Sequence, residues 1–333
     1  MTRATTKDCT ALSSRTNSNE TQSRNVRKGK AWVACAVFAF LFGGLFAHGQ
    51  VVPAAHNSWS SGKPMPTAVW LPVAGVINGQ IYVVGGWDGT EGLAKNQVYN
   101  PAKNTWRTGV SLPTPLWDGA AAVVRNVLYV IGSNAVWAYN PKTKKWSSRA
   151  AMPTVRADMA AVVENSIIYV IGGNGTDGTR LNTVESYNPA TNKWKEEAPL
   201  LVGKAEPSVG LVGTTIVAAD GYETAGDFGD NEGYDASTNT WTSLAADPTP
   251  RNGACGGAIG KQLYVAGGYD GDGPDMTLTE SFDVSANTWN TLASMPQATL
   301  WGGYAVYKGR LYCFGGAESY QGGALNYVQI YQP

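Results

Sequence analysis

The chain has 333 residues, of which 25 are basic, 25 are acidic, and only 15% are charged. Its 40 glycines amount to about 12% of the residues, above the roughly 7% of average proteins, and they follow no collagen period. The hydrophobic content of 43% excludes wholesale disorder, and the balanced charge argues against nucleic acid as a partner, because no excess of Lys and Arg is present to neutralise phosphates. The composition favours a folded protein with short strands and many tight turns.

Residues 1–49 predict a leader for export. The leader begins with a polar stretch that ends in a basic cluster, and residues 31–47 then form an uncharged, mostly apolar run. A basic flank, an apolar run and a small-residue exit are typical of a secretory signal peptide. An uncleaved membrane anchor over the same run is the alternative, although the run is shorter than the roughly 20 residues that span a bilayer. In both cases we expect everything after Gln50 to be exported, to the periplasm, the cell surface or the medium, with membrane contact only through that anchor.

Six repeats follow one another in the predicted domain of residues 50–333. Each repeat has an apolar strand that ends in a pair of small residues, then an aromatic residue, and then, except in the sixth, a tryptophan seven residues after the aromatic. Turn sequences such as NPAKNTW separate the last two positions, and Asn-Pro is typical of a turn between strands. The small pairs are Gly85-Gly86, Gly132-Ser133, Gly172-Gly173, Asp220-Gly221, Gly267-Gly268 and Gly315-Gly316. The aromatic positions are Tyr99, Tyr139, Tyr187, Tyr234, Phe282 and Tyr331, and the tryptophans are Trp106, Trp146, Trp194, Trp241 and Trp289.

The two ends of this domain complement each other. Tyr331 lacks its tryptophan, whereas Trp59 stands before the first repeat in the context of the other blade tryptophans. We therefore predict that residues 57–62 complete the last repeat and close a ring, which removes exposed sheet edges. Four short strands in each repeat predict an all-β, six-bladed β-propeller. The repeats lie near residues 63–106, 107–146, 147–194, 195–241, 242–289 and 290–333 plus 57–62.

The glycine pair after an apolar strand, followed by the aromatic and the tryptophan, resembles the pattern of kelch repeats over residues 57–333. The second repeat departs from the pattern because its loop is short, and the fourth because Asp220 replaces the first glycine. The resemblance implies a kelch-type propeller. It implies little about activity, because such propellers include scaffolds for protein partners, sugar-acid mutarotases and copper-radical oxidases.

The scarcity of histidine limits the chemistry. His56 is the one histidine after the leader, so a copper-radical oxidase, which needs two histidines, is excluded, and His-dependent catalytic triads are disfavoured. The acidic loops at residues 227–232 and 270–275 could hold calcium, but neither has the twelve-residue spacing of a calcium loop. We expect no cofactor, no metal and no catalytic residue, and we interpret Cys255 and Cys313 as buried apolar residues.

Five tryptophans remain unexplained by the repeat. Alignment of the repeats places Trp70 and Trp117 at the start of the innermost strand, Trp301 one position later, and Trp87 directly after a glycine pair. These positions belong to one face of a propeller, so we predict that the four ring the mouth of the central channel. The fifth, Trp137, falls on the third strand of the shortened repeat.

Charged residues flank the position of Trp70 and Trp117 in the other repeats. We predict a channel mouth that is aromatic on blades 6, 1 and 2 and charged on blades 3 to 5. The alternative is that Arg156 pairs with Asp158, and Lys204 with Glu206, as solvated rim pairs of little energetic value. The predicted ligand-binding residues are Trp70, Trp87, Trp117, Asp118, Arg156, Asp158, Lys204, Glu206, Arg251 and Trp301.

These residues favour a non-catalytic binding module that holds a protein partner, a glycan or a sugar acid at the channel mouth. Tryptophans supply rigid contact area, and Arg can orient a carboxylate. The first alternative is a sugar-acid-modifying enzyme similar to the kelch mutarotases, in which arginines hold the substrate and carboxyl groups move protons. The second is a structural protein of the cell envelope.

Overall fold

The computed structural model describes residues 56–223, 229–271 and 276–333, and these residues form 28 β-strands. Within these ranges there is no helix that is long and apolar enough to cross a membrane. The predicted leader and anchor (residues 1–49 and 31–47) lie outside the described residues, as do Asp227, Asp272 and Asp275 of the acidic loops.

Six antiparallel four-stranded sheets form the blades. Two additional two-stranded sheets accompany blades 3 and 4. Strand β1 is Ser58–Ser61. Blade 1 contains β2 (Val73–Ile77), β3 (Gln80–Val84), β4 (Asn96–Asn100) and β5 (Thr105–Thr108). Blade 2 contains β6 (Ala120–Val124), β7 (Val127–Ile131), β8 (Val136–Asn140) and β9 (Lys145–Arg149).

After β10 (Arg156–Ala157), blade 3 contains β11 (Ala160–Glu164), β12 (Ile167–Ile171), β14 (Val184–Asn188) and β15 (Lys193–Glu196), with β13 (Asn174–Gly175) paired to β10. After β16 (Lys204–Ala205), blade 4 contains β17 (Ser208–Val212), β18 (Thr215–Ala219), β20 (Asn231–Asp235) and β21 (Thr240–Leu244), with β19 (Tyr222–Glu223) paired to β16. Blade 5 contains β22 (Cys255–Ile259), β23 (Gln262–Ala266), β24 (Thr279–Asp283) and β25 (Thr288–Thr291). Blade 6 contains β26 (Gly303–Tyr307), β27 (Arg310–Phe314) and β28 (Val328–Gln332).

Strand β1 completes blade 6. It pairs antiparallel with β28, and Trp59 lies opposite Tyr331 as the other blade tryptophans lie opposite their aromatics. The innermost strand of each blade packs against the innermost strand of the next, so that the circle closes between β26 and β2. The six-bladed propeller and its closure by the N-terminal strand, both predicted from the sequence, are therefore confirmed.

The blade tryptophans connect neighbouring blades. Each indole ring packs on the aromatic residue opposite, with ring centroids 5.0 Å apart for Tyr187 and Trp194. Each indole Nε1 also donates a hydrogen bond of 2.8 to 2.9 Å to a backbone carbonyl of the preceding blade. The same residue thus supplies apolar contact within a blade and a polar contact between blades, which explains its recurrence. The acceptors are the carbonyls of Lys63, Val110, Ala150, Ala198, Ala245 and Ala293.

The small pairs allow the chain to pass close to the next blade. A Cβ on Gly85, whose φ is +72°, would lie 2.3 Å from the carbonyl oxygen of Leu116 in the next blade. Asp220 adopts the same left-handed conformation, with φ +59°, which aspartate tolerates better than most residues. Its carboxyl is buried beside Asp247, and burial together with that neighbouring carboxylate raises the pKa of Asp220 well above its ordinary value.

Candidate binding site at the channel mouth

One residue of each blade lies at the entrance to the central channel, just before the innermost strand. All six have a left-handed backbone, with φ between +54° and +63°. We call these residues the inner ring: Leu71, Asp118, Asp158, Glu206, Gly253 and Trp301. Because the left-handed conformation reverses the chain there, the six residues, five of which carry side chains, meet around one opening.

Backbone hydrogen bonds join members of the inner ring from blade to blade. The amide of Asp158 donates to the carbonyl of Asp118 at 2.9 Å, and the amide of Glu206 donates to that of Asp158 at 2.7 Å. On the other side, Leu71 donates to Trp301 at 2.8 Å, and Trp301 donates to Gly253 at 2.7 Å. The backbone therefore fixes the rim, and the side chains remain available for other contacts.

Three adjacent members of the inner ring, Asp118, Asp158 and Glu206, form what we call the carboxyl triad. Burial raises the pKa of Asp118 to about 7, with a further contribution from the charge of Asp158. Burial likewise raises the pKa of Glu206 to about 8, again with Asp158 adding repulsion. The pKa of Asp158 is also raised by burial, although Asn174 donates a hydrogen bond of 2.7 Å to its Oδ2. The triad therefore holds protons near neutral pH.

Trp301 connects the carboxyl triad to the opposite side of the mouth. Its Nε1 donates to both carboxylate oxygens of Glu206, at 3.0 and 2.9 Å. The indole reaches from blade 6 across blade 5 to blade 4 because the blade 5 residue is Gly253. A Cβ on Gly253 would lie 2.8 Å from the Trp301 ring and 3.1 Å from Glu206 Oε2.

Aromatic side chains continue around the mouth from Trp301 in contact with one another. Ring centroids are 5.2 Å apart for Trp70 and Trp301, and 5.3 Å apart for Trp87 and Trp117, while the backbones of Trp70 and Trp87 pair directly. In the other direction Tyr320 lies 5.3 Å from Trp301 and 5.6 Å from Tyr269. We call this set the aromatic arc; it comprises Trp117, Trp87, Trp70, Trp301, Tyr320 and Tyr269. Trp117 and Tyr320 are 44% and 59% exposed, so the arc presents aromatic surface to solvent.

Arg180 lies on the side of the mouth that the aromatic arc leaves open. Its guanidinium stacks on the ring of Tyr222, 4.1 Å from the centroid, and its charge acts on both Asp158 and Glu206. The channel below has a volume of about 710 Å³, counted with the space that is open to solvent. Its lining includes the whole inner ring and Tyr304.

The three cations predicted at the mouth are not there. Arg156, Lys204 and Arg251 are at most 1% exposed, and each forms an ion pair inside its own blade. Arg156 pairs with Glu185, and Arg251 pairs with Glu280 and, at 3.4 Å, with Asp247.

Lys204 lies between Glu232 and Glu223, at 3.4 and 3.6 Å, and burial raises the pKa of Glu223 to about 7 despite the attraction of Lys204. The prediction that these cations lie exposed at the channel mouth is wrong, and so is the alternative pairing of Arg156 with Asp158 and Lys204 with Glu206. Their side chains point into their own blades, toward carboxylates of the third strand.

Blades 6, 1 and 2 hold neutral residues at the two positions that form the ion pair in blades 3 to 5. In blade 6, Gln329 donates to Thr299 at 2.7 Å, and in blade 1, Gln97 accepts from the amide of Thr67 beside the buried Val69. In blade 2, Leu116 takes the position of the cation, and the corresponding third-strand residue is Trp137. Trp137 is thus explained as a substitute for the glutamate of a buried pair.

Sequence reasoning missed several residues of the mouth. Tyr269 directly follows a glycine pair, as Trp87 does, whereas Tyr320 stands four residues after the last pair. Asn174 and Tyr222 directly follow their small pairs. Inspection of the residue directly after each small pair would have found Tyr269, Tyr222 and Asn174, but not Tyr320. Arg180 lies farther along its loop and has no counterpart in the repeat.

Among the described residues no three His, Cys, Asp or Glu side chains are placed to hold a metal ion. His56 lies at the edge of blade 6, where its Nδ1 is 2.7 Å from the carbonyl oxygen of Pro333. The cysteines Cys255 and Cys313 are free and buried.

Comparisons with known proteins concern the repeats and the fold. Residues 71–113, 156–201 and 250–296 match the model of the Kelch motif. A solved structure titled "Structure of YjhT" is 19% identical, with a TM-score of 0.69 over 80% of this chain and 96% of that chain. A search of curated proteins finds no match. At 19% identity the structural likeness concerns the fold alone.

Proposed function

The chain is a kelch-repeat β-propeller, and on that basis we propose that it is a binding module whose ligand sits at the channel mouth. Kelch propellers commonly serve as interaction modules, so the fold agrees with this role. The observation that carries the proposal is the aromatic arc beside an open cavity. Contiguous exposed aromatic surface of this kind marks contact sites in soluble proteins.

The arc is built for contact because its members are held in place. Trp117 packs over Gly92, where a Cβ would lie 2.0 Å from the indole, and Trp301 is fixed by its bonds to Glu206. Rigid aromatic side chains lose little conformational entropy when a ligand covers them. A glycan ring or a protein side chain could stack on this surface.

The proposal is tested by comparing binding of the full-length protein and two variants to glycan and peptide arrays. Trp117→Ala removes exposed surface from the arc, whereas Tyr307→Ala removes a half-buried aromatic at the far end of strand β26. We expect binding to fall at least tenfold for Trp117→Ala and to persist for Tyr307→Ala. Equal binding by the two variants would contradict a role for the mouth.

A second candidate is the sugar-acid enzyme, and the raised pKa values of Asp118 and Glu206 favour it. Carboxyl groups that titrate near neutral pH suit general acid and base catalysis. Since Arg156 and Arg251 are buried, the substrate carboxylate would have to be held by Arg180. The test is the rate of anomer interconversion of sugar acids: enzyme activity requires a rate above background that is lost in both Arg180→Met and Asp118→Asn.

We further propose that the module works outside the cytoplasm, as the basic and apolar leader favours. N-terminal sequencing of the protein recovered from the exported fraction tests this. A terminus near Gln50 supports a cleaved signal peptide, an intact leader in the membrane fraction supports the anchor, and recovery from the cytoplasm contradicts both.

A further inference from the structure

The channel mouth carries more acidic than basic side chains. The carboxyl triad supplies three acids, whereas Arg180 is the one cation among the described residues whose charge acts on Asp158 and Glu206 there. The cations of blades 3 to 5 are buried inside their blades and paired there with carboxylates. A ligand that brings positive charge would therefore meet acids that have few partners within the protein.

Several polar atoms at the mouth also lack hydrogen-bond partners. Within the described part of the chain, Asp118 Oδ1, Asn174 Oδ1, Trp70 Nε1 and Arg180 Nε are buried and accept or donate no hydrogen bond. Buried polar groups normally find partners, so these four atoms near one opening are available to the polar groups of a ligand. Two of them are acceptors on the side of the carboxyl triad, which suits a ligand with N–H donors.

The aromatic arc adjoins the carboxyl triad at Trp301, which also lines the channel. Indole faces attract organic cations through their quadrupole, and aromatic walls with carboxylates are the chemistry by which proteins hold amines. The link between Trp301 and Glu206 shows that the two sets of side chains lie within direct contact of each other. A ligand with an ammonium group and a flat body would engage both at once.

Building on the proposed function, we infer that the ligand carries a protonated amine, which sits among the carboxyl triad while the body of the ligand lies against the aromatic arc. Preference for positive charge distinguishes this inference from the sugar-acid hypothesis, which requires a negative ligand at the same opening.

Proton release accompanies such binding. The titratable and charged groups at the site are the carboxyl triad, Arg180, Tyr304 and the tyrosines of the mouth, which are Tyr222, Tyr269 and Tyr320. Because the triad holds protons near neutral pH, an incoming ammonium group favours the ionised carboxylates and expels protons. A sugar acid would instead favour proton uptake by the same groups.

Three probes that share a pyranose ring and differ in charge test the inference: glucosamine, glucose and glucuronate. Calorimetric titration of the full-length protein at pH 7 and constant ionic strength gives the three affinities. Repeating the glucosamine titration in phosphate and in MOPS, which differ in ionisation enthalpy and are not primary amines, gives the protons released. We expect glucosamine to bind at least tenfold more tightly than glucose, with proton release, and glucuronate to bind most weakly.

Isosteric variants then assign the preference to the triad. Asp118→Asn and Glu206→Gln should each reduce the preference for glucosamine over glucose at least threefold and reduce proton release. Glu196→Gln, which neutralises an exposed carboxylate on the outer strand β15, should change neither quantity.

Each other outcome counts against the inference. Equal affinity for glucose and glucosamine, tighter binding of glucuronate, or no binding of any probe at millimolar concentration would overturn it, as would calcium chloride binding that is lost in Asp118→Asn. None of these results decides the proposed function, which depends on the comparison of Trp117→Ala with Tyr307→Ala and needs no amine.

Discussion

Blades 3 to 5 and blades 6, 1 and 2 share one backbone but use different chemistry at the same positions. Blades 3 to 5 bury a cation against a carboxylate, as Arg156 does with Glu185, whereas blade 6 places Thr299 against Gln329. The inner ring divides along a similar line, with carboxyl groups on blades 2 to 4 and tryptophan on blade 6. The propeller geometry thus tolerates charge in half of the ring without needing it in the other half.

This comparison separates two kinds of charged residue that look alike in the sequence. The buried pairs have their partners inside the blade, and their removal should affect folding. The carboxyl triad has few partners, and its removal should affect binding and pH dependence. The predictions below test that division.

The largest effect is expected from Glu185→Ala. This change leaves the buried guanidinium of Arg156 without its carboxylate, which should lower the free energy of unfolding by about 3–5 kcal/mol. The matched change in a neutral blade, Gln329→Ala, removes hydrogen bonds but no charge partner and should cost about 1–3 kcal/mol. Urea unfolding of both variants measures the difference, and equal losses would refute the distinction between the two halves.

A smaller effect is expected from Gly253→Ala. The new Cβ would collide with Trp301 and approach Glu206, in addition to the left-handed strain of about 1–2 kcal/mol. Gly260→Ala is the control, because Gly260 has the same φ of +63° and open space around its Cα. We expect Gly253→Ala to lose more stability than Gly260→Ala and to shift the tryptophan emission, whereas identical losses and spectra would show that Trp301 moves freely.

A pH-dependent effect is expected from Glu206→Gln. Burial raises the folded-state pKa of Glu206 to about 8, so the folded protein keeps a proton that the unfolded chain releases above about pH 4.5. The stability that this group contributes therefore falls as the pH rises from about 4.5 to 8. The melting temperature of Glu206→Gln minus that of the wild type should be larger at pH 8 than at pH 5. The same difference for Glu196→Gln should not change with pH. A constant difference would contradict the raised pKa.

The smallest effect is expected from the double change Arg156→Met with Glu185→Gln, which gives blade 3 a neutral pair like that of blade 1. Replacing both partners of a buried ion pair is often neutral or stabilising, so the unfolding free energy should stay within about 1 kcal/mol of the wild type or rise. Urea titration beside Glu185→Ala measures this. A loss as large as that of the single variant would mean that blade 3 requires the ion pair itself.

The fold could be predicted from the sequence because its determinants recur. Six glycine-type pairs, six aromatics and six tryptophans identify the blades, and the unpaired Trp59 and Tyr331 identify the closure. The inner ring could also be placed, because it follows the position of Trp70 and Trp117 in every repeat. The binding role predicted for these residues stays a prediction.

The partners of the buried cations Arg156, Lys204 and Arg251 could not be predicted from the repeat position that the cations share. Neighbouring residues such as Lys204 and Glu206 point in different directions because the left-handed turn at Glu206 separates them. The partner of Lys204 comes from the third strand, 28 residues farther along the chain. One pattern would have helped: Glu185, Glu232 and Glu280 each precede the blade aromatic by two residues, and they occur only in the three repeats that carry a cation.

The backbone bonds of the inner ring bear on how such a protein can change its specificity. The amides and carbonyls of the inner ring hold the rim together, and these bonds do not depend on which side chains the ring carries. The present sequence already places leucine, aspartate, glutamate, glycine and tryptophan there on one unchanged backbone. New ligand preferences could therefore arise by exchange of ring side chains such as that of Leu71, while the backbone bonds of the rim are kept.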